Sequence, residues 1–300
     1  MKNVLILFFF VFLLFACNKV RIKEPSDFQV FADSSVYHAN DTVTFSFKGN
    51  PDEISMYSGE QNHLYIYANR TMATPDSTLL SFNSVSTLRL ASSQADSVNN
   101  LSFFISQNFN GTLNATSIKN ATWVKLDTVP ISKDTANKFS GKIHLEGFAN
   151  APFYVAFRYV SDSATATAVA RKWAVNGFSL KTYFPDTTVT IASNFSSGGF
   201  SSVSILDASN KWVFLNDPIA FNAPAIGSLP NEDWMISRPF KVSTISADLP
   251  IKVKFISARL AQFKYIFKKA GTYHVVFVAY NVDANKSAEV VRPIDIIVVN

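Results

Sequence analysis

In the run Asp41-Thr-Val-Thr-Phe-Ser-Phe-Lys48, the apolar Val43, Phe45 and Phe47 alternate with Thr42, Thr44 and Ser46. A period of two with one apolar face marks a strand half-buried against a second sheet. Gly49-Asn50-Pro51-Asp52 then ends the strand, because Gly and Asn tolerate positive φ and Pro sets its own. Ile54, Met56 and Tyr57 begin a second strand, Ser58-Gly59-Glu60 turns again, and Leu64-Tyr65-Ile66-Tyr67 reads as a third. Beyond Arg70 the pattern dissolves into "TMATPDST". A small β-sandwich needs about seven strands and about 100 residues. Residues 25–70 supply half of one. Left alone, that half would expose its apolar face and strand edges to water, so its missing strands must come from elsewhere in the chain.

They are expected near the other end. "IKVKFISA" (251–258), "FKYIF" (263–267), "KKAGTYHVVFVAYN" (268–281) and "VVRPIDIIVV" (290–299) resume the strand pattern, with Tyr273, Val275, Phe277 and Ala279 on one face. Segments 25–70 and 236–300 together have the length of one sandwich. Insertion between adjacent strand ends at an exposed loop is physically tolerated. Residues 71–235 then form the insert. Its strands are expected at "LSFFI" (101–105), "ATWVKLD" (121–127), "FSGKIHLEGF" (139–148), "APFYVAFRYV" (151–160) and "KWAVNGFSL" (172–180), with a turn at Asn110-Gly111. Phe153, Val155, Phe157 and Tyr159 share one face of the fourth. Apolar residues are 48% of the chain, enough for two cores, and the aromatic and β-branched runs without a helical period argue all-β.

The N-terminus reads as a targeting segment. Lys2 precedes a 12-residue apolar run, Val4 to Phe15, too short to span a bilayer. Leu14-Phe15-Ala16-Cys17 follows and resembles a bacterial lipobox, in which the Cys thiol is acylated and the preceding peptide removed. Cys17 is the only cysteine, so no disulfide competes for it. Residues 1–17 are therefore expected to be a lipoprotein signal peptide ending in the lipid-bearing Cys17. Residues 18–24 are a short polar tether, and the protein is held on a membrane by its lipid. The net charge of +5 is scattered among the strands with no basic run, so nucleic acid is not an expected partner.

Two motif sets carry resemblances. The ordered series "ATW", "GKIHL", "VAFRY" and "WAVNG" resembles a jelly-roll module of secreted bacterial proteins, of the galactose-binding-like kind. Asn176 stands where that module has an Asp, and no metal is expected. "AGTYHVVFVAYN" resembles the closing half of a polycystic-kidney-disease-type (PKD) domain, an immunoglobulin-like sandwich. The resemblance implies an all-β chain in which a PKD/immunoglobulin-like sandwich, 25–70 plus 236–300, is split by an inserted jelly roll, 71–235. "SFKGNPDEISMYSGE" and "DWMIS…AGTYHVVFVAYN" together resemble lipoproteins of the Bacteroidota in the domain-of-unknown-function 5017 family. That resemblance implies an outer-membrane lipoprotein, on the surface or periplasmic face, that binds a polysaccharide or oligosaccharide beside an outer-membrane importer complex.

The residues themselves argue against catalysis. Glycoside hydrolysis needs two carboxylates facing across a sugar, about 5–9 Å apart. Glu232 and Asp233 are neighbours that a strand would point to opposite faces, and "NEDW" reads as a polar loop. No nucleophile elbow, Walker loop or HExxH motif occurs, so no catalytic residue and no cofactor is expected. Sugars are recognised by aromatic rings stacked on their CH faces. Trp123 and Trp173 lie in expected strands and read as core. Trp212, after a turn-rich stretch, is the first ligand candidate and Trp234 the second. The alternative reading is a structural or adhesion protein that binds another protein; a hydrolase ranks last. Asp followed by Ser or Thr and a small or apolar residue recurs, as at Asp127-Thr128-Val129 and Asp134-Thr135-Ala136, and resembles an O-glycosylation acceptor.

Overall fold

A computed structural model describes residues 22–88, 100–162, 171–215, 217–225, 227–283 and 286–300. Cys17, the expected signal peptide and the start of the tether lie outside the described residues. The described residues are nearly all β and divide into two compact units, residues 22–70 with those from 247 onward, and those between 71 and 246.

Unit 1 begins with β1 (Gln29–Ala32), β2 (Val36–His38), β3 (Thr42–Lys48) and β4 (Glu53–Tyr57). Unit 2 runs from β5 (Ser77–Leu88) through β6 (Leu101–Ser106), helix α1 (Ala115–Asn120), β7 (Val124–Lys125), β8 (Lys138–Phe139), β9 (Ile143–His144), β10 (Tyr154–Ser161) and β11 (Arg171–Tyr183). It continues with β12 (Thr188–Ala192), β13 (Ser201–Leu206), β14 (Trp212–Phe214), β15 (Ile219–Phe221) and β16 (Asn231–Ile236). The chain then returns to unit 1 with β17 (Ile251–Lys254), β18 (Gln262–Ile266), β19 (Gly271–Asp283) and β20 (Lys286–Val299).

Unit 1 is a sandwich of a three-stranded sheet, β1-β3-β18, and a five-stranded sheet, β17-β4-β19-β20-β2. Both sheets mix strands from the two passes of the chain: Phe45 pairs with Phe263, and Met56 with Phe277. The apolar alternation of β3 buries Val43, Phe45 and Phe47 inward, where the Phe45 and Phe47 rings lie 5.0 and 5.4 Å from Phe277. Phe28, Met56, Val275 and Ile296 fill the same core. The turn after β3 requires Gly49: its φ is +89°, and a Cβ there would sit 3.0 Å from the Phe28 backbone.

The run Leu64-Tyr-Ile-Tyr67 is not the strand its sequence suggested. Tyr65–Tyr67 form a 3-10 turn closed by Tyr67 N–H to Leu64 O and Ala68 N–H to Tyr65 O. Tyr65 then packs on Tyr57, Val276 and Val278, covering the outer face of the five-stranded sheet. The outgoing and returning passes are clasped here. The Arg70 guanidinium donates to Asp248 at 2.7 Å and lies 4.1 Å from the Tyr67 ring centroid, while Asp248 also accepts from the Leu64 N–H.

Unit 2 is a second sandwich, with sheets β13-β16-β10-β6-β7 and β14-β15-β11-β5-β8, β12 adding to β11 and β9 to β5. Phe82, Phe103 and Phe157 form a triangle of rings 4.9 to 5.2 Å apart at its centre. The short strand expected in "ATWVKLD" and the alternating strand expected in "FSGKIHLEGF" shrink to the two-residue β7, β8 and β9. In the second stretch Ser140 takes the strand's place as a binder of β5, donating its backbone N–H to Phe82 O and accepting the Phe82 N–H on its hydroxyl. The return to unit 1 comes after Ser246, later than the boundary at 235/236 drawn from the sequence. Phe240 and Val242 are the reason: both are buried in the unit 2 core, and Phe240 bridges Phe153.

The Asp248 side chain is 2% exposed and Arg70 10%, so removing either leaves a buried charge without its partner. Arg70→Ala or Asp248→Ala is expected to lower unfolding free energy by about 3–5 kcal/mol, measurable by urea denaturation.

Candidate functional site

Strand β16 is where sequence and structure meet most informatively. "NEDW", expected as a polar loop, is strand, paired with β10 on one side and β13 on the other. Alternation sends Glu232, Trp234 and Ile236 to the outer face of the sheet and Asn231, Asp233 and Met235 to the inner one. The two adjacent carboxylates therefore face opposite directions.

On the outer face, Glu232 Oε1 accepts from Arg158 Nε at 3.0 Å and from Trp234 Nε1 at 2.9 Å. The Trp234 ring packs against Phe104 and Trp123, with centroids 5.3 and 5.0 Å away. Trp123 in turn donates its indole N–H to Ile118 O at the end of α1. Trp234 is only 5% exposed. Trp212 opens β14 with its ring turned inward onto Phe221 and is 2% exposed. Stacking on a sugar needs an open ring face, and neither indole has one. The ligand roles suggested for Trp212 and Trp234 are thus corrected: both are core residues, because the turn-rich stretch before Trp212 ends one residue too early to leave it in the loop. Trp173 is fully buried, donating to Asn100 at 2.8 Å, and Trp123 is half-buried.

A concave site lies elsewhere in unit 2. Met72, Thr74, Pro75, Glu146, Asn150 and Ser243 line an open groove of about 530 Å³, within the range of small-molecule sites. The short 3-10 turn Glu146–Phe148 places Glu146 on its rim. Burial alone would raise the Glu146 carboxyl, but hydrogen bonds from its own backbone N–H, from His144 and from the Thr78 N–H outweigh that and hold it below the usual range. Those last two partners sit 3.2 and 3.1 Å from one oxygen, Oε1. Asn150 Oδ1 accepts from Gln107 Nε2 at 3.1 Å, which orients the amide. The groove thus combines a fixed anionic acceptor, an oriented amide and two hydroxyls with the apolar surface of Met72, Pro75 and Ala149. It suits a ligand that carries both hydroxyl and CH groups. Sequence reasoning missed it, because Glu146 and Asn150 converge with Met72 and Ser243 only through folding.

The inner face of β16 meets an unusual polar patch in an aromatic core. Asp233 is fully buried, and burial pushes its carboxyl up to about 7, although the Ser204 hydroxyl and Asn231 work the other way. The carboxylates of Asp207 and Glu232 add to the rise. Among the described residues, no group of three or more His, Cys, Asp or Glu side chains is placed to hold a metal ion. No helix among them is long and apolar enough to cross a membrane. Of the Asp-Ser/Thr motifs, Thr42, Thr128 and Thr135 are exposed, Ser77 and Thr187 are half-buried, Thr188 follows in strand β12, and Ser97 and Ser163 lie outside the described residues.

A family model for a domain of unknown function, DUF5017, matches residues 16–200, well over half of the chain. The chain belongs to this family. The DUF5017 match takes in Cys17, β1 to β4 and most of unit 2, including the groove except Ser243. It ends before "DWMIS" and "AGTYHVVFVAYN", on which the sequence resemblance also leaned. No curated protein and no solved structure matches the chain.

Two outcomes follow from the Asp233 and Trp212 environments. The folded protein holds the Asp233 proton to about pH 7, whereas an unfolded chain releases it near 3.8. The carboxyl must therefore be ionised at the fold's expense as pH rises. Its contribution to stability is full below about pH 4, falls at up to about 1.4 kcal/mol per pH unit between about 4 and 7, and levels off above. Asp233→Asn is expected to flatten that slope and to be the more stable protein at about pH 8, read from denaturation midpoints across pH. Trp212→Ala is expected to cost about 3–5 kcal/mol of stability as a core truncation, detected in the same measurement.

Proposed function

We propose that this DUF5017 protein is an outer-membrane-anchored lipoprotein that captures a neutral glycan without catalysis, as an accessory of a polysaccharide uptake system. The groove of unit 2 carries the reading. Its carboxylate, amide and hydroxyls can bond sugar hydroxyls, and its apolar side chains, Met72, Pro75 and Ala149, can meet the CH groups of a ring. The Glu146 carboxylate, held ionised by its hydrogen bonds, would repel uronic or sulfated sugars, so the ligand is an uncharged one. The anchoring part rests on the lipobox-like Leu14-Phe15-Ala16-Cys17. The non-catalytic part is supported by the divergence of Glu232 and Asp233 across β16, which keeps that pair from flanking one bond.

A second reading, adhesion through a protein partner, is favoured by one observation. Edge strand β14 and its exit expose Val213, Phe214 and Leu215 together, an apolar edge of the kind protein partners cover.

Affinity electrophoresis against neutral and acidic polysaccharides distinguishes these readings. Retardation by a neutral glycan is expected, with affinity reduced about tenfold or more in Glu146→Ala and Asn150→Ala, in line with the loss of a charged hydrogen bond. No retardation by any glycan, or retardation unchanged in both variants, would refute the proposal.

A further inference from the structure

The inner face of β16 holds several polar atoms that a close-packed core should not leave alone. Tyr159 Oη, Ser161 Oγ, Trp212 Nε1, Asn231 Oδ1 and Asp233 Oδ2 are all buried and close no hydrogen bond of normal geometry within the protein, although Ser161 and Asn100 come near enough to the Tyr159 hydroxyl to work against the rise in its pKa. The topology gathers them. Tyr159 is the register partner of Asp233 and Ser161 that of Asn231 across the β10–β16 ladder. Tyr159 and Trp212 pack on the same ring, Phe221, at 3.8 and 5.5 Å. The Asn231 amide donates to the carbonyls of Asp207 and Asn210, the latter two residues before Trp212. Tyr159 lies within the electrostatic reach of Asp233, and Asn231 comes close enough to lower the Asp233 carboxyl without closing a normal hydrogen bond.

Each unpaired buried polar group costs about 1–3 kcal/mol. A cluster of them in one place calls for a shared partner, since the large majority of buried polar atoms in native proteins are satisfied by protein or by ordered water. The set contains what one small amphoteric molecule requires: donors in the Trp212 indole and the Tyr159 and Ser161 hydroxyls, and acceptors in Asn231 Oδ1 and Asp233 Oδ2. A cation fits poorly, because the Trp212 N–H can only donate. An apolar molecule would satisfy nothing.

We propose that the end of the unit 2 core between β10, β14 and β16 is a binding site for internal water, bridging Tyr159 and Asp233 of one sheet to Trp212 of the other. Such a water would make about three hydrogen bonds and act as part of the fold. It joins the two sheets where ring packing gives way to polar groups. It also gives the Asp233 carboxyl, when protonated, an acceptor for its proton. The titratable groups within electrostatic reach of that carboxyl are Asp207, Tyr159 and, from the opposite face of the sheet, Glu232, none of them cationic, so no ion pair competes with this arrangement.

Water-oxygen magnetic relaxation dispersion on the full chain, together with a high-resolution crystal structure, tests the site. About one long-lived internal water is expected in this cluster, within hydrogen-bond distance of Asp233 and of at least one of Asn231, Tyr159 and Trp212. Asp233→Asn, which keeps the hydrogen-bonding shape, should retain it. Asp233→Leu should lose it, with the dispersion amplitude falling by the equivalent of that water. If the Leu variant does not fold, the wild-type and Asn proteins still decide the matter. A dry cluster closed by direct side-chain hydrogen bonds, a metal ion in the water's place, or a dispersion amplitude unchanged in Asp233→Leu would overturn the proposal.

Discussion

The contact between Phe45, Phe47 and Phe277 is the condition for everything else in this molecule. These rings come from passes of the chain separated by the whole of unit 2, and neither pass makes a closed sandwich without the other. Burying large aromatic faces is among the strongest contributions a core can make. Here it has to outweigh the entropy of bringing two distant segments together. That cost rises only logarithmically with the length of the intervening chain, and the structure reduces it further. Unit 2 draws its own ends together, with Met72 bridged to Thr244 and the Ala73 N–H donated to Ser243 O at 3.0 Å. Once the insert has folded, Arg70 and Asp248 emerge side by side. The loop to be closed is then short, whatever its length in sequence.

Unit 2 shows how one strand can serve two environments. β16 lies in the middle of its sheet with a rigid pairing on both sides, and strict alternation assigns each residue to a face. The outer side chains build a charge-assisted cluster in which Glu232 holds both Arg158 and Trp234. The inner side chains place a carboxyl in an aromatic core, where desolvation penalises its charged form and pushes its pKa up to about 7. The groove around Glu146 follows a different rule. It is built from loops and short elements, where Ser140 and Glu146 bind β5 in place of a full strand. This is the usual division between a rigid scaffold and the connecting segments on its surface.

The alternating runs of β3, β10 and β19 were plain in the sequence, and their inward faces are the residues that alternation selects. Gly49 was equally plain as a turn. Other elements were obscured by specific physical competition. Leu64 to Tyr67 has strand-like composition, yet an aromatic packing position over Val276 and Val278 made a tight turn the better use of it. Trp212 looked like a loop residue because a run of Ser, Gly and Asn precedes it. One inward-facing strand position was enough to bury it. The groove was invisible, since no sequence spacing links Met72, Glu146 and Ser243.

By itself, then, the sequence determined that the chain is all-β, that its first sandwich is incomplete where it breaks off, and which residues of its clearly alternating strands, such as Phe45, Phe157 and Phe277, turn inward. Those conclusions depend on local period and turn chemistry, which neighbouring residues carry in full. The tertiary structure alone decided where the return crossing falls, which tryptophans are closed to ligands and which polar residues converge on a groove or lie stranded in a core. Each of these depends on which distant surfaces meet, and on how much water remains between them when they do.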